Sequence, residues 1–453
     1  MDPTRKLKSS RRTPLVAKAL IACVLVLVCA PRFQSQDRGL KLEEMRRHGI
    51  KMLRAVKDQI EFSYYDKTFH GMDLDARFKL AEEKIPAATT SAQVLGIIAQ
   101  AVVDLNDSHT LLVPPLRDTL AVYGWRMQMI GDRCYITAIM PGSDAEFKWL
   151  MPGDRIIDLD GYEPTRDNLW KIYYYYYSLR PQTRVSITVE STRGGERTVE
   201  VITRSHKRTL VNSGGWIIDK NPIDVTADDG TGPSPQYFNF GDDLIICRLP
   251  SFRMDEKAVD EVIKRITGHK TVVLDLRGNP GGRVLALRRF AGYFFDREVK
   301  LGDFKMRNDT KEEKIKPHKK NNFAGSLIVL IDSRSASGAE LFARLVQLEK
   351  RGLVVGDRSS GRVMQSLRYN LNLKTSSGPL LYGLSVTNAD IIMSDGKSLE
   401  RVGVVPDELL LPTADDLRNR RDPILARAAS IAGVKLTPEK AGDLFLEGAI
   451  SSP

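Results

Sequence analysis

Cysteine is scarce in this chain. There are four in 453 residues, and two of them, Cys23 and Cys29, lie inside an apolar stretch near the N-terminus. Only Cys134 and Cys247 are left downstream, far apart and outside any Cys-x-x-Cys pattern. Oxidising conditions could pair them, but no disulfide framework or thiolate metal site is encoded. The six histidines show no His-x-x-x-His spacing and no cysteine partner. No metal and no cofactor are therefore expected. The chain also lacks an apolar run of comfortable membrane-spanning length. Its net charge of +11 points towards nucleic acid only at first sight. The first 36 residues carry seven Lys/Arg against one acid, which leaves +5 for the remainder. No nucleic-acid partner is expected.

The N-terminus itself has an exported pattern. A basic segment from Arg5 to Arg12 precedes an apolar run from Ala19 to Ala30, the order of a secretory signal. Val28 before Cys29 argues against a lipoprotein site. An uncleaved N-terminal anchor is the alternative, and it is the one way in which membrane contact would arise. A periplasmic or extracellular protein is expected, with residues 1–36 as signal or anchor.

Further along, the periodicity changes twice. Residues 37–116 read as a helical region, with Met45, Met52, Leu53, Val56 and Ile60 near helical spacing. It ends in Asn106-Asp-Ser-His-Thr110. Residues 117–206 turn to alternating strands. Among them are Cys134–Met140, Arg184–Glu190 and Glu196–Ile202, and the tyrosine run 173–177 reads as a helix covering the core. A Gly/Asp/Pro-rich linker spans 207–240. From 241 to 413 apolar strands alternate with helical segments, which predicts βα units. The basic stretch Lys300–Lys320 reads as a solvated hairpin or loop, and 414–453 as a helical tail. The fold class is α/β and multidomain: an N-terminal helical region, a β-rich module and a βα-unit core.

Chemistry concentrates in Leu327–Glu340, LIVLIDSRSASGAE. A β-branched run breaks into small polar residues and a helix then starts, which is a buried strand, a tight turn and a helix N-terminus. Ser337 sits at that junction, where free backbone N–H groups stabilise negative charge. Serine is also a frequent N-cap, so the stretch alone does not separate a nucleophile from a cap.

The remaining motifs bear on that choice. Pro141-Gly-Ser-Asp-Ala145 and Met151-Pro-Gly-Asp-Arg-Ile156, closing on Asp160-Gly161, resemble a PDZ domain. Leu274-Asp-Leu-Arg-Gly-Asn-Pro-Gly-Gly282, Ser335-Ala-Ser-Gly-Ala-Glu340 and Val355-Gly-Asp357 follow in order. Together they are similar to the tail-specific (C-terminal processing) serine peptidase superfamily, in its tricorn-core-like branch. The resemblance implies a serine endopeptidase acting on exported or unfolded polypeptides, with Ser337 as nucleophile. Gly338, Gly281 and Gly282 would form the oxyanion hole. Where the bacterial branch carries a lysine base, this chain has Arg362, in Ser360-Gly-Arg-Val363. A guanidinium stays protonated and cannot accept a serine proton. Either the protein is inactive or another group is the base. By the tricorn-like pattern that group is His109, supported by Glu400, with Ser108 as relay. By the PDZ resemblance, Tyr123-Gly124-Trp125 would hold a peptide C-terminus. Two other readings stay open: a catalytically silent scaffold that binds peptides or hydrophobic ligands, and an unrelated ligand-binding α/β protein. Oligomeric state is not legible.

Overall fold

The computed structural model describes residues 41–117, 119–207, 210–213, 216–219, 234–318, 322–376 and 378–444. The expected signal segment and residues 220–233 of the expected linker lie outside the described residues. Among the described residues, no helix is long and apolar enough to cross a membrane.

Three helices open the described chain. α1 (Leu42–Ser63) buries Met45, Met52, Leu53, Val56 and Ile60 along one stripe. α2 (Leu74–Lys84) and α3 (Ser91–Val103) begin at side-chain caps, Asp73 accepting from the Ala76 N–H and Thr90 from the Gln93 N–H. Beyond α3, Asn106 turns the chain at φ 55°. The short strand β1 (Leu111–Val113) follows, so Ser108 and His109 occupy a tight helix-to-strand loop.

The β-rich part is an antiparallel meander of β2 (Trp125–Ile130), β3 (Arg133–Ile139), β4 (Arg155–Leu159), β5 (Arg184–Glu190) and β6 (Glu196–Ile202). Alternation explains it: Val185, Ile187 and Val189 of β5 point inward and their neighbours outward. Between β4 and β5, α4 (Leu169–Tyr173) widens into a π-helical stretch at Tyr174–Leu179. The tyrosine run is thus helical, and the Tyr173 hydroxyl donates to the Met127 carbonyl at 2.7 Å. Tyr123 and Trp125 are buried in this module's apolar core. Their rings pack the interior, and the Gly124 carbonyl accepts from the Met140 N–H.

The edge strand β2 meets the core of the chain. Gln128 donates to Asp332 at 2.8 Å, and the Met129 carbonyl accepts from the Ser333 hydroxyl. Arg166 adds a 2.7 Å ion pair to Asp357, with 14% and 6% of the two side chains exposed. Arg166→Ala leaves that carboxylate only the Gly131 and Arg358 N–H groups and no charged partner at this contact, and a stability loss of about 3 kcal/mol is expected. An unchanged urea midpoint would exclude such a latch.

The core sheet runs β7 (Gln236–Phe240), β8 (Leu244–Arg248), β9 (Thr271–Asp275), β12 (Ser326–Ile331), β13 (Leu353–Gly356) and β16 (Glu408–Leu409). Only the β7–β8 pair is antiparallel. β9 is buried throughout and β12 nearly so, as a parallel sheet covered on both faces requires. Val272, Leu274, Val329 and Ile331 pack with α5 (Glu256–Ile266), α6 (Val284–Ala291) and α7 (Gly338–Leu348). Val273, Ile328 and Leu330 face α8 (Pro423–Ile431) instead. Cys134 and Cys247 are both buried and free. The basic stretch forms the hairpin β10 (Val299–Met306) and β11 (Thr310–Ile315). This hairpin shares a second sheet with β1, β14 (Met364–Thr375) and β15 (Gly378–Met393). α1 and α3 pack on β15 through Leu384 and Val386, which carries the Ser108–His109 loop to the core.

Candidate active site

Three loops leave the C-terminal ends of β9, β12 and β13 on the same side of the parallel sheet, where ligands bind in open α/β folds. Backbone bonds lock them together. The Ala336 N–H donates to the Asn279 carbonyl, the Ser337 N–H to the Arg362 carbonyl and the Ser360 N–H to the Ser335 carbonyl, each at 2.9 Å.

The two serines of the central loop have different surroundings. Ser335 is fully buried. Its hydroxyl donates to the Leu276 carbonyl at 2.8 Å and accepts from the Asp332 N–H at 2.9 Å. It braces the turn. Ser337 is half-buried at the N-terminus of α7, with φ 52° and ψ −117°. A β-substituted residue in that region carries strain of order 1–3 kcal/mol, and such strain clusters at reactive turns.

Glu340 supports this geometry from beneath. It is fully buried at the third position of α7, and its side chain reaches back to the Ser337 backbone. Its carboxylate accepts from the backbone N–H groups of Ser337, Gly361 and Arg362 at 2.9, 2.7 and 3.0 Å, and from the Ser359 hydroxyl. Burial pushes its pKa up to about 7, against the pull of these donors towards the anion.

The Gly281–Gly282 turn lies directly against Ser337. A Cβ on Gly281 would come within 2.7 Å of both the Ser337 Cβ and the Gly338 nitrogen, so only glycine allows this approach. The two turn amides differ, however. The Gly281 N–H is taken by Asn279 Oδ1 at 2.8 Å. The N–H groups of Gly282 and Gly338 find no acceptor among the described residues.

On the facing side, Asp107 organises the loop before β1. It is buried, and it accepts from the N–H groups of His109 and Thr110 and from the hydroxyls of Thr387 and Tyr64. The next two residues form a chain with Glu400. The Ser108 hydroxyl lies 2.8 Å from His109 Nδ1 and 3.0 Å from Glu400 Oε2. Glu400 also accepts from the N–H groups of Ser108 and Val363 at 3.2 and 2.7 Å. An ionised carboxylate only accepts. The single Ser108 proton therefore points to Glu400, and the hydroxyl oxygen accepts from Nδ1–H. That tautomer leaves a lone pair on Nε2. Burial pushes the His109 pKa down to about 4, with the Arg362 guanidinium adding to the effect. Burial also raises the Glu400 carboxyl.

Residues 243–410 match Peptidase family S41. The chain carries a peptidase family S41 domain. The tail-specific protease of Haemophilus influenzae is 23% identical over 78% of this chain, and this chain spans only 51% of that relative's length. The carboxyl-terminal-processing protease of a Picosynechococcus species is likewise 23% identical, with 86% of this chain and 88% of the relative covered. Among solved structures, mature CPAF has a TM-score of 0.61 at 18% identity, covering 83% of this chain and 94% of that one. That likeness concerns the fold.

The structure brings the predicted site residues together as two groups: the Gly281–Gly282 turn packs against Ser337 and Gly338, and Ser108 hydrogen-bonds His109 and Glu400. It holds Tyr123 and Trp125 inside the β-rich module instead. Sequence reasoning missed Asp107 as the hub of the histidine loop and Asp422 as a partner of Arg277. Asp107 stands inside the Asp-x-His-Thr pattern, which was a usable signal. Nothing in the sequence marks Asp422. Among the described residues, no cluster of three or more His, Cys, Asp or Glu side chains is arranged to hold a metal.

Proposed function

We propose that the chain is a serine endopeptidase that hydrolyses peptide bonds of exported or unfolded proteins through a Ser337 acyl-enzyme, with His109 as the general base. The observation that carries this reading is the Glu400–Ser108–His109 chain, with distances of 3.0 and 2.8 Å. It orients a neutral imidazole on the loop that Arg362 ties to the nucleophile's turn. His109 Nε2 takes the Ser337 proton as Oγ attacks the scissile carbonyl. The tetrahedral oxyanion receives the N–H groups of Gly338 and Gly282, the two amides left without an internal acceptor. The imidazolium then protonates the leaving amine, and a water activated by the same base releases the acyl group. Ser108 and Glu400 hold the tautomer and stabilise the imidazolium.

The names of the relatives, tail-specific and carboxyl-terminal-processing protease, support substrates recognised near their C-termini. In this reading the β-rich module is PDZ-like and recruits them through backbone around Gly124. The basic and apolar N-terminal segment supports export, with membrane contact only where that segment is retained.

A fluorophosphonate probe tests the reading. Labelling of the mature chain, lost in Ser337→Ala and in His109→Ala, is expected alongside hydrolysis of casein. No labelling and no casein cleavage at any pH would turn the reading to a silent peptide-binding scaffold.

A further inference from the structure

By the family resemblance, Arg362 stands where the bacterial branch would carry a lysine base, and its contacts reach both halves of the site. Its carbonyl accepts from the Ser337 N–H at 2.9 Å, and its own N–H donates to Glu340 at 3.0 Å. Nη2 donates to the Ser108 carbonyl at 3.0 Å, one residue before His109. The guanidinium lies over the Trp170 ring of α4, 5.6 Å from its centroid. Nε is buried with no hydrogen-bond partner among the described residues. An unsatisfied buried donor is costly, and a residue chosen only for packing would not carry one here.

We infer that Arg362 is a positioning residue for the base: it holds the Ser108–His109 loop to the turn that carries Ser337, and it sets a fixed positive charge beside the imidazole. This rests on the proposed role of His109 as base. A lysine base would have to lose its proton in this place, whereas guanidinium remains charged. The charge then works against protonation of His109, so a residue that cannot itself be a base keeps the base neutral here.

The groups around the imidazole are few. Asp107 is on the same loop and takes the His109 N–H. Glu400 comes from the segment after β15 and acts through Ser108. Glu340 of α7 faces the Arg362 backbone, and Lys171 of α4 reaches Asn106 at 3.4 Å. The Asp107 carboxylate favours imidazolium. Burial and the Arg362 charge oppose it, and these two prevail in lowering the His109 pKa.

The experiment uses the full chain in a Ser337→Ala background with histidine-selective isotope labelling, since six histidines give a readable spectrum. The His109 imidazole is titrated by NMR in that parent, in Arg362→Met and in Arg362→Gln. The glutamine variant keeps a donor for the Ser108 carbonyl and guards against a methionine variant that fails to fold. A rise of His109 titration by about one pH unit or more in either neutral variant is expected. With Ser337 present, the acid limb of kcat/KM on a fluorogenic peptide should move up by the same amount. Activity lost below the limb, about tenfold per unit, should return in part at higher pH. An unmoved His109 titration, or a kcat/KM that falls equally at every pH, would overturn the inference and reduce Arg362 to packing. The titration needs no turnover. If the chain with Ser337 intact neither hydrolyses peptide nor takes the probe, the proposed function fails while the role of Arg362 is still decided.

Discussion

Ser337→Ala is expected to lower kcat/KM for peptide hydrolysis by about 10⁴- to 10⁶-fold, the scale on which nucleophile removal acts in serine peptidases. The fold should be nearly indifferent. The supporting bonds at this residue use its backbone: the N–H faces the Arg362 carbonyl and Glu340, and the carbonyl accepts from the Glu340 N–H. Alanine keeps all of these, so a stability change within about 0.5 kcal/mol is expected. Ser335→Ala should behave in the opposite way. Its buried hydroxyl bonds the Leu276 carbonyl and the Asp332 N–H. Its loss leaves both groups unsatisfied, at a cost of about 1–3 kcal/mol. Steady-state kinetics and urea denaturation on both variants check the pair. Full activity in Ser337→Ala, or inactivity of Ser335→Ala with undiminished stability, would transfer the nucleophile to Ser335.

The second large effect is structural. Arg277→Ala is expected to destabilise the protein by about 3–5 kcal/mol, because it strips partners from a buried charge network. Asp275 is fully buried at the end of β9. It accepts from Arg277 at 2.9 Å and from Arg248 at 2.9 Å, while Arg277 forks onto Asp422 at 2.9 and 2.7 Å. Burial alone would raise the Asp275 carboxyl, but the two guanidinium groups outweigh it and hold it well below the usual carboxylate range. A depressed folded-state pKa contributes stability that is present above the unfolded value near 4 and is lost as pH falls through the folded value. The parent should therefore weaken steeply below about pH 4. In Arg277→Ala much of that loss should already be present at pH 7. Urea midpoints at pH 7 and pH 3 test this, and equal midpoints for variant and parent at pH 7 would show that the network contributes nothing.

His109 adds a pH dependence of the same sign by a different route. Its folded pKa of about 4 lies below the ordinary 6.5, so the unfolded chain binds the extra proton between those values. The stability it contributes is present above about 6.5 and is lost progressively down to about 4. Glu340 runs the other way. Its carboxyl, raised to about 7, favours the folded state when protonated and costs stability as pH rises from about 4.5 to 7.

Local pattern carried much of this protein. The run Leu327–Ile331, the break at Asp332–Ser337 and the apolar periodicity from Leu341 suffice for a buried strand, a turn and a helix, because each is written within a dozen neighbouring residues. The paired glycines at 281–282 announced a close backbone approach for the same local reason. Residue type alone excluded Arg362 as a base, and the resemblance to the tricorn-like branch is what pointed to His109 in its place.

Only the tertiary structure decided what depends on distance. Ser108 and Glu400 are 292 residues apart in sequence and share two hydrogen bonds, and no periodicity encodes such a pair. Ser335 and Ser337 are chemically the same. What separates them is that one hydroxyl is enclosed by Leu276 and Asp332 while the other belongs to a strained residue at a helix N-terminus. Of the two turn amides the sequence offers, Asn279 occupies that of Gly281 and leaves that of Gly282. Sequence determined which elements form and which side chains have the right chemistry. The packing of three loops at one end of the sheet decided which of those side chains meet, because hydrogen bonds and buried charges are satisfied in space and not along the chain.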